Sequence, residues 1–204
     1  MYYDKSLIAG KLRRWEKYMD SYRLPAWEDI PNIGLYMKQL TSMIKEYLDY
    51  LPPELKGEEL ITPAMVNNYV RKKIMPEPEE KKYYRKHIVF LIMICSLKQS
   101  LSIPTIQTMI PVDIADAKLK ETYDSYVKQH QIAVRYFIQQ VRLAAGGILD
   151  HKVNSVIATD QASELIMTSA VVGGFARLMA EKLLLLEGKT LENGGSIQIE
   201  ERKK

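Results

Sequence analysis

The sequence predicts an all-α fold, and three observations predict it. Apolar residues return at helical spacing in stretch after stretch. Prolines and glycines close most of these stretches. One run, Ile88–Leu97, is apolar almost all round, the pattern of a helix buried on every side. The expected division is an N-terminal domain over 1–112, a long-helix hairpin or bundle over 113–188 and a polar tail over 189–204.

Residues 6–22 read as an amphipathic helix, with Leu7, Leu12, Trp15, Met19 and Tyr22 on one stripe and Leu24-Pro25 as its stop. Arg13 and Arg14 belong to its solvated face. Ile33, Tyr36, Leu40, Ile44 and Tyr47 form the stripe of a second helix over 33–50, closed by Pro52-Pro53. Thr62-Pro63 is a strong helix start, because threonine caps well and proline at the first helical position loses no hydrogen bond. This short helix, 62–73, turns Met65, Val66, Tyr69 and Val70 inward. Ala64, Asn67, Asn68, Arg71 and Lys72 then point outward or sideways.

Met75-Pro76-Glu77-Pro78 cannot continue a helix, and Lys81 to Lys86 hold four cations with two tyrosines between them. The glutamates ahead of them face solvent or lower the affinity for an anion. His87–Leu101 is the expected central beam, followed by a short Ser102-capped helix carrying Ile103, Ile106, Met109 and Ile110. A long helix over 113–145 ends at Gly146-Gly147, and a second runs from the Thr159-Asp160 cap to Glu187. The small residues around Gly173-Gly174 suit a tight helical hairpin and equally a dimer seam. Ile197-Gln198-Ile199 suits a short edge strand.

The charge is uneven. Between Thr62 and Lys98 stand eight Lys/Arg against three acids, a net +5 in a chain whose total is +4. A basic segment on a near-neutral body points to an anionic partner that meets one face. Asparagine pairs bidentately with adenine, and arginine or lysine reaches guanine or a phosphate. A short helix showing Asn67, Asn68, Arg71 and Lys72 therefore suits a DNA major groove. The expected contact set is Thr62, Ala64, Asn67, Asn68, Arg71, Lys72, Lys73, Lys81, Lys82, Tyr83, Arg85 and Lys86.

The order of these elements resembles the MerR-type winged helix-turn-helix regulators. It runs from the Thr62-capped helix through Ile74-Met75-Pro76 and Lys82-Tyr83 to Ile88, Leu91 and Ile94, then Ser102-Ile103-x-x-Ile106. The likeness covers about 50 residues. The whole chain also resembles the uncharacterised bacterial YkrK-like proteins. The resemblance implies a winged helix-turn-helix N-terminal domain and a homodimer held by C-terminal helices. It also implies that Thr62, Tyr69, Lys82 and Tyr83 contact or orient double-stranded DNA. Three positions depart from the family pattern. Asn67 replaces an arginine, Lys73 replaces the glycine that opens the wing, and the glycine before the last helix is absent, with Ser100 nearest.

Other chemistry lacks a sequence basis. The histidines 87, 130 and 151 and the lone Cys95 have no metal-ligand spacing, so no cofactor or metal is expected. In the MerR likeness metal sensing uses C-terminal cysteines, and Cys95 lies in an apolar run. No phosphate loop or nucleophile elbow is present, and Asp150-His151 is a dyad only in sequence. The protein is expected not to be an enzyme. No signal peptide or membrane span is read, so a cytoplasmic location is expected. The expected function is a DNA-binding transcriptional regulator. The alternative is a helical sensor or protein-interaction adaptor that does not bind DNA. An unidentified small-molecule effector between the C-terminal helices remains open, since a packed core has the same composition.

Overall fold

The computed structural model describes residues 4–51, 59–144, 170–179, 186 and 188–194. The described chain is helical, with two isolated β-bridges and no strand among the described residues. The helices are α1 (Lys5–Ser21), α2 (Met37–Tyr47), α3 (Pro63–Arg71), α4 (Arg85–Leu97), α5 (Ile103–Met109) and α6 (Asp116–Ala144). A further helical stretch covers 170–179. The Asp150-His151 pair, the Gly146-Gly147 stop and the 197–199 segment lie outside the described residues.

The chain divides into two compact units. One is Leu24–Gln129. The other joins residues up to Arg23 with those from His130 onward. The sequence division set a boundary at 112/113, whereas the observed boundaries fall at 23/24 and 129/130. Packing within the first unit explains the later cut. The first half of α6 buries Leu119, Tyr123 and Tyr126. The Tyr123 hydroxyl donates to the Pro25 carbonyl at 2.8 Å, which ties α6 to the start of that unit.

In the Leu24–Gln129 unit, α4 is the core. Ten of its thirteen residues are buried, from His87 to Leu97, so nearly every direction around it meets protein. Each fully buried apolar side chain of this size contributes about 1.5–3 kcal/mol. Helix α2 packs on α3 and α4, and α5 packs on α4. The expected boundaries of three helices shift. Helix α2 begins at Met37 rather than 33, because Leu35 pairs with Tyr83 instead of entering the helix. Helix α3 ends at Arg71 rather than 73, because Lys73 adopts a φ of +52°. Helix α4 starts two residues before His87 and ends at Leu97, ahead of the expected Leu101. A 3-10 turn at Trp27–Asp29, which carries no helical stripe, was not expected.

The other unit buries Trp15 of α1 edge-on against Phe137 of α6, with ring centres 5.7 Å apart. Phe175 stacks on Phe137 at 5.8 Å and meets His130 edge-on at 5.4 Å. Arg142 donates through Nε, at 2.8 Å, and Nη2 to Glu16. Within 170–179, Val171, Phe175 and Leu178 are the buried positions, at helical spacing.

Candidate nucleic-acid interface

Helix α3 supplies the first part of the site. Thr62 caps it, its hydroxyl accepting from the Met65 N–H at 3.1 Å, and Pro63 follows at the first helical position. Val66 and Tyr69 are buried. That leaves Ala64, Asn67 and Arg71 exposed and Asn68 half-exposed on the other side. Arg71 Nη2 donates to Asn68 Oδ1 at 3.0 Å, which fixes the two side chains relative to each other. The helix is held from below at its start. Lys98 Nζ donates to the Leu60 carbonyl at 2.9 Å and lies 3.4 Å from the Tyr69 hydroxyl.

The chain leaves α3 through Lys72 and Lys73, both exposed. The Lys73 carbonyl accepts from Gln107 Nε2 at 3.3 Å. Residues 79–82 then form a two-residue hairpin turn. Glu79 and Lys82 exchange backbone hydrogen bonds at 3.0 and 2.8 Å, and Glu80 and Lys81 have φ of +48° and +64°. Two successive positive φ values give the primed turn that matches the twist of paired strands. Tyr83 then pairs with Leu35 through two backbone hydrogen bonds of 2.8 Å.

His87 locks the base of this hairpin. Its ring is fully buried, and its Nδ1 accepts from the Tyr84 N–H at 2.9 Å. Nδ1 therefore carries no proton. The proton of the neutral ring is on Nε2, which donates to the Glu77 carbonyl at 2.8 Å. Burial lowers the His87 pKa below its ordinary 6.5, chiefly by desolvation. Tyr83 meets the same ring edge-on at 5.4 Å. The sequence offered one signal for this lock, the Tyr84-x-x-His87 spacing, which joins a helix cap to its third residue.

The twelve expected contact residues separate into three groups. Thr62, Ala64, Asn67, Asn68, Arg71, Lys72, Lys73, Lys81 and Lys82 are exposed or half-exposed along α3 and the hairpin. Lys72, Lys73, Lys81 and Lys82 have no acidic partner among the described residues. Tyr83 is a correction: it is 4% exposed, and its side chain anchors the hairpin from inside. Arg85 and Lys86, half-exposed, lie in the first turn of α4 rather than in the expected loop. Arg85 Nε donates to the Ile30 carbonyl at 2.7 Å, and its guanidinium lies over Trp27 at 5.7 Å. Lys86 pairs with Glu79 at 2.6 Å, which holds that carboxyl below the usual range. Of the eight cations behind the net charge of +5, Arg85, Lys86 and Lys98 are thus engaged by the protein itself.

The Leu24–Gln129 unit is a helical unit with a capped, polar-faced short helix and a lysine-bearing hairpin set on a buried beam. Residues 25–132 match the family described as domain of unknown function (DUF1836), and the chain belongs to that family. The matched span coincides with this unit to within a few residues, so the whole candidate interface lies inside it. No match was found among curated proteins or among solved structures. No helix among the described residues is long and apolar enough to cross a membrane.

Proposed function

We propose that the protein is a DNA-binding transcriptional regulator that uses a winged helix-turn-helix of the MerR type. In this reading α2 and α3 are the helix-turn-helix, α3 enters the major groove and the 79–82 hairpin is the wing. It works as a homodimer joined through its C-terminal helices, which set two copies of α3 at neighbouring grooves. No catalysis is assigned to it. The observation that carries the reading is the polar side of α3, with Asn67, Arg71 and Lys72 exposed and Asn68 half-exposed, together with a hairpin whose lysines have no acidic partner among the described residues. Asparagine and arginine on a groove-sized helix read base edges, and lysines on a hairpin take phosphates.

The test is the double variant Arg71→Ala/Lys72→Ala, with binding to a labelled mixed-sequence duplex followed at low salt. Both side chains are exposed, so melting is expected within about 0.5 kcal/mol of wild type. Binding is expected to weaken at least tenfold, and equal binding by variant and wild type would remove α3 from the account. A second reading, a helical adaptor that does not bind DNA, draws on the Lys86–Glu79 pair and the exposed Glu77 and Glu80. Retention of function with Lys81 and Lys82 replaced by alanine, together with recovery of a specific protein partner, would favour it.

A further inference from the structure

The Leu35–Tyr83 pair has an outer face of which the sequence assigned only Lys82. The two residues exchange both backbone hydrogen bonds. In that antiparallel register Tyr36 stands opposite Lys82 and Gly34 opposite Tyr84. Leu35 and Tyr83 point inward, at 5% and 4% exposure. Their neighbours along each segment therefore point outward. Tyr36 is 60% exposed, and Ile33 beside Gly34 is 64% exposed. Only three large apolar side chains among the described residues are this exposed, and two of them flank Gly34-Leu35. Singly scattered apolar residues are ordinary; here Tyr36 stands opposite a lysine that has no acidic partner among the described residues.

Gly34 shapes this face. A Cβ at Gly34 would meet Lys82 Cδ at 2.7 Å, Lys82 Cβ at 3.1 Å and the Tyr84 hydroxyl at 3.2 Å. The lysine stem therefore lies flat across Gly34, beside the Tyr84 hydroxyl, where any larger residue would lift it. Gly34 lacks the positive φ that would demand glycine, so the space above it is what an alanine there would change.

We infer that this face, with the Lys82 stem laid across Gly34 and Tyr36 opposite Lys82, is a contact site for the DNA backbone that extends the hairpin's lysine contact onto the 34–36 segment. It rests on the DNA-binding reading and deepens it. The backbone alternates an anionic phosphate with an apolar deoxyribose. Lys82 takes the phosphate, and Tyr36 packs against the sugar. Gly34 is a positioning residue that keeps the Lys82 stem down. Its charge and its apolar flank fit this one occupant, and the site carries no sequence information, since it touches no base edge.

The experiment compares the full chain with Tyr36→Ala, Gly34→Ala and Lys82→Gln, using a fluorescein-labelled mixed-sequence duplex over a salt series. Thermal melts establish that each variant is folded. Lys82→Gln is expected to make the slope of log K against log salt shallower by about one. Tyr36→Ala and Gly34→Ala remove no charge, so each should weaken binding about tenfold at fixed salt while the slope holds. If the wild type binds, and Arg71→Ala/Lys72→Ala weakens it, yet Tyr36→Ala and Gly34→Ala bind as wild type does, this site falls and the DNA reading stands. Displacement of the duplex by polyglutamate as readily as by unlabelled duplex would overturn the assignment to DNA backbone. A wild type that binds no duplex at all brings down the DNA reading and this site together.

Discussion

Lys73 shows how one residue can be held against its own preference. It occupies the position where the MerR-like pattern has glycine, and its φ of +52° lies in the left-handed region. A non-glycine residue there carries about 1–2 kcal/mol of strain. Lys73→Gly is therefore expected to stabilise the fold by about 0.5–1 kcal/mol net of glycine's entropy, read as a raised melting temperature. The same change should weaken DNA binding and make the salt slope shallower by about one, since it removes a cation. The two buried histidines set the pH response. Desolvation lowers the pKa of His87 and takes that of His130 down to about 3, so both are neutral in the folded chain. The unfolded chain binds protons near pH 6.5 and the folded chain does not, so stability falls as pH drops below about 6.5. By pH 5 His130 alone should cost about 2 kcal/mol, and His130→Leu should flatten the melting-temperature profile between pH 7 and pH 5. An unchanged profile in that variant would mean that the ring is solvated.

At the scale of elements, α4 is the beam on which the site is built. Leu91 is fully buried within it. Leu91→Ala is expected to cost about 2–5 kcal/mol in denaturant unfolding, with loss of DNA binding only where the fold itself is lost. This helix was legible in the sequence, because an apolar run with no polar side has one stable placement. The Thr62 cap and the inward Val66 and Tyr69 were legible for the same kind of reason, local chemistry with a fixed period. The hairpin was not. Its turn uses Glu80 and Lys81, neither of them the asparagine or glycine that signals positive φ, so only the surrounding structure imposes it. The Leu35–Tyr83 pair joins segments far apart in the chain through one residue each, which leaves no alternation to detect. Arg85 and Lys86 read as loop cations because the helix start behind them depends on His87 reaching back to Tyr84.

For the whole molecule, charge is what the proposed DNA-binding reading rests on. The net +5 of the 62–98 segment overstates what a ligand meets, since Lys98 and Arg85 face carbonyls and Lys86 faces Glu79. Arg71, Lys72, Lys73, Lys81 and Lys82 remain available along α3 and the hairpin. All five lie in the unit that matches the DUF1836 family. The salt dependence of binding to mixed-sequence duplex DNA tests this account most directly. With about four phosphates neutralised by each protomer, log K for a dimer should fall against log salt with a slope near −7, and near −4 for a single protomer. The absence of any salt-sensitive binding at low ionic strength would contradict it.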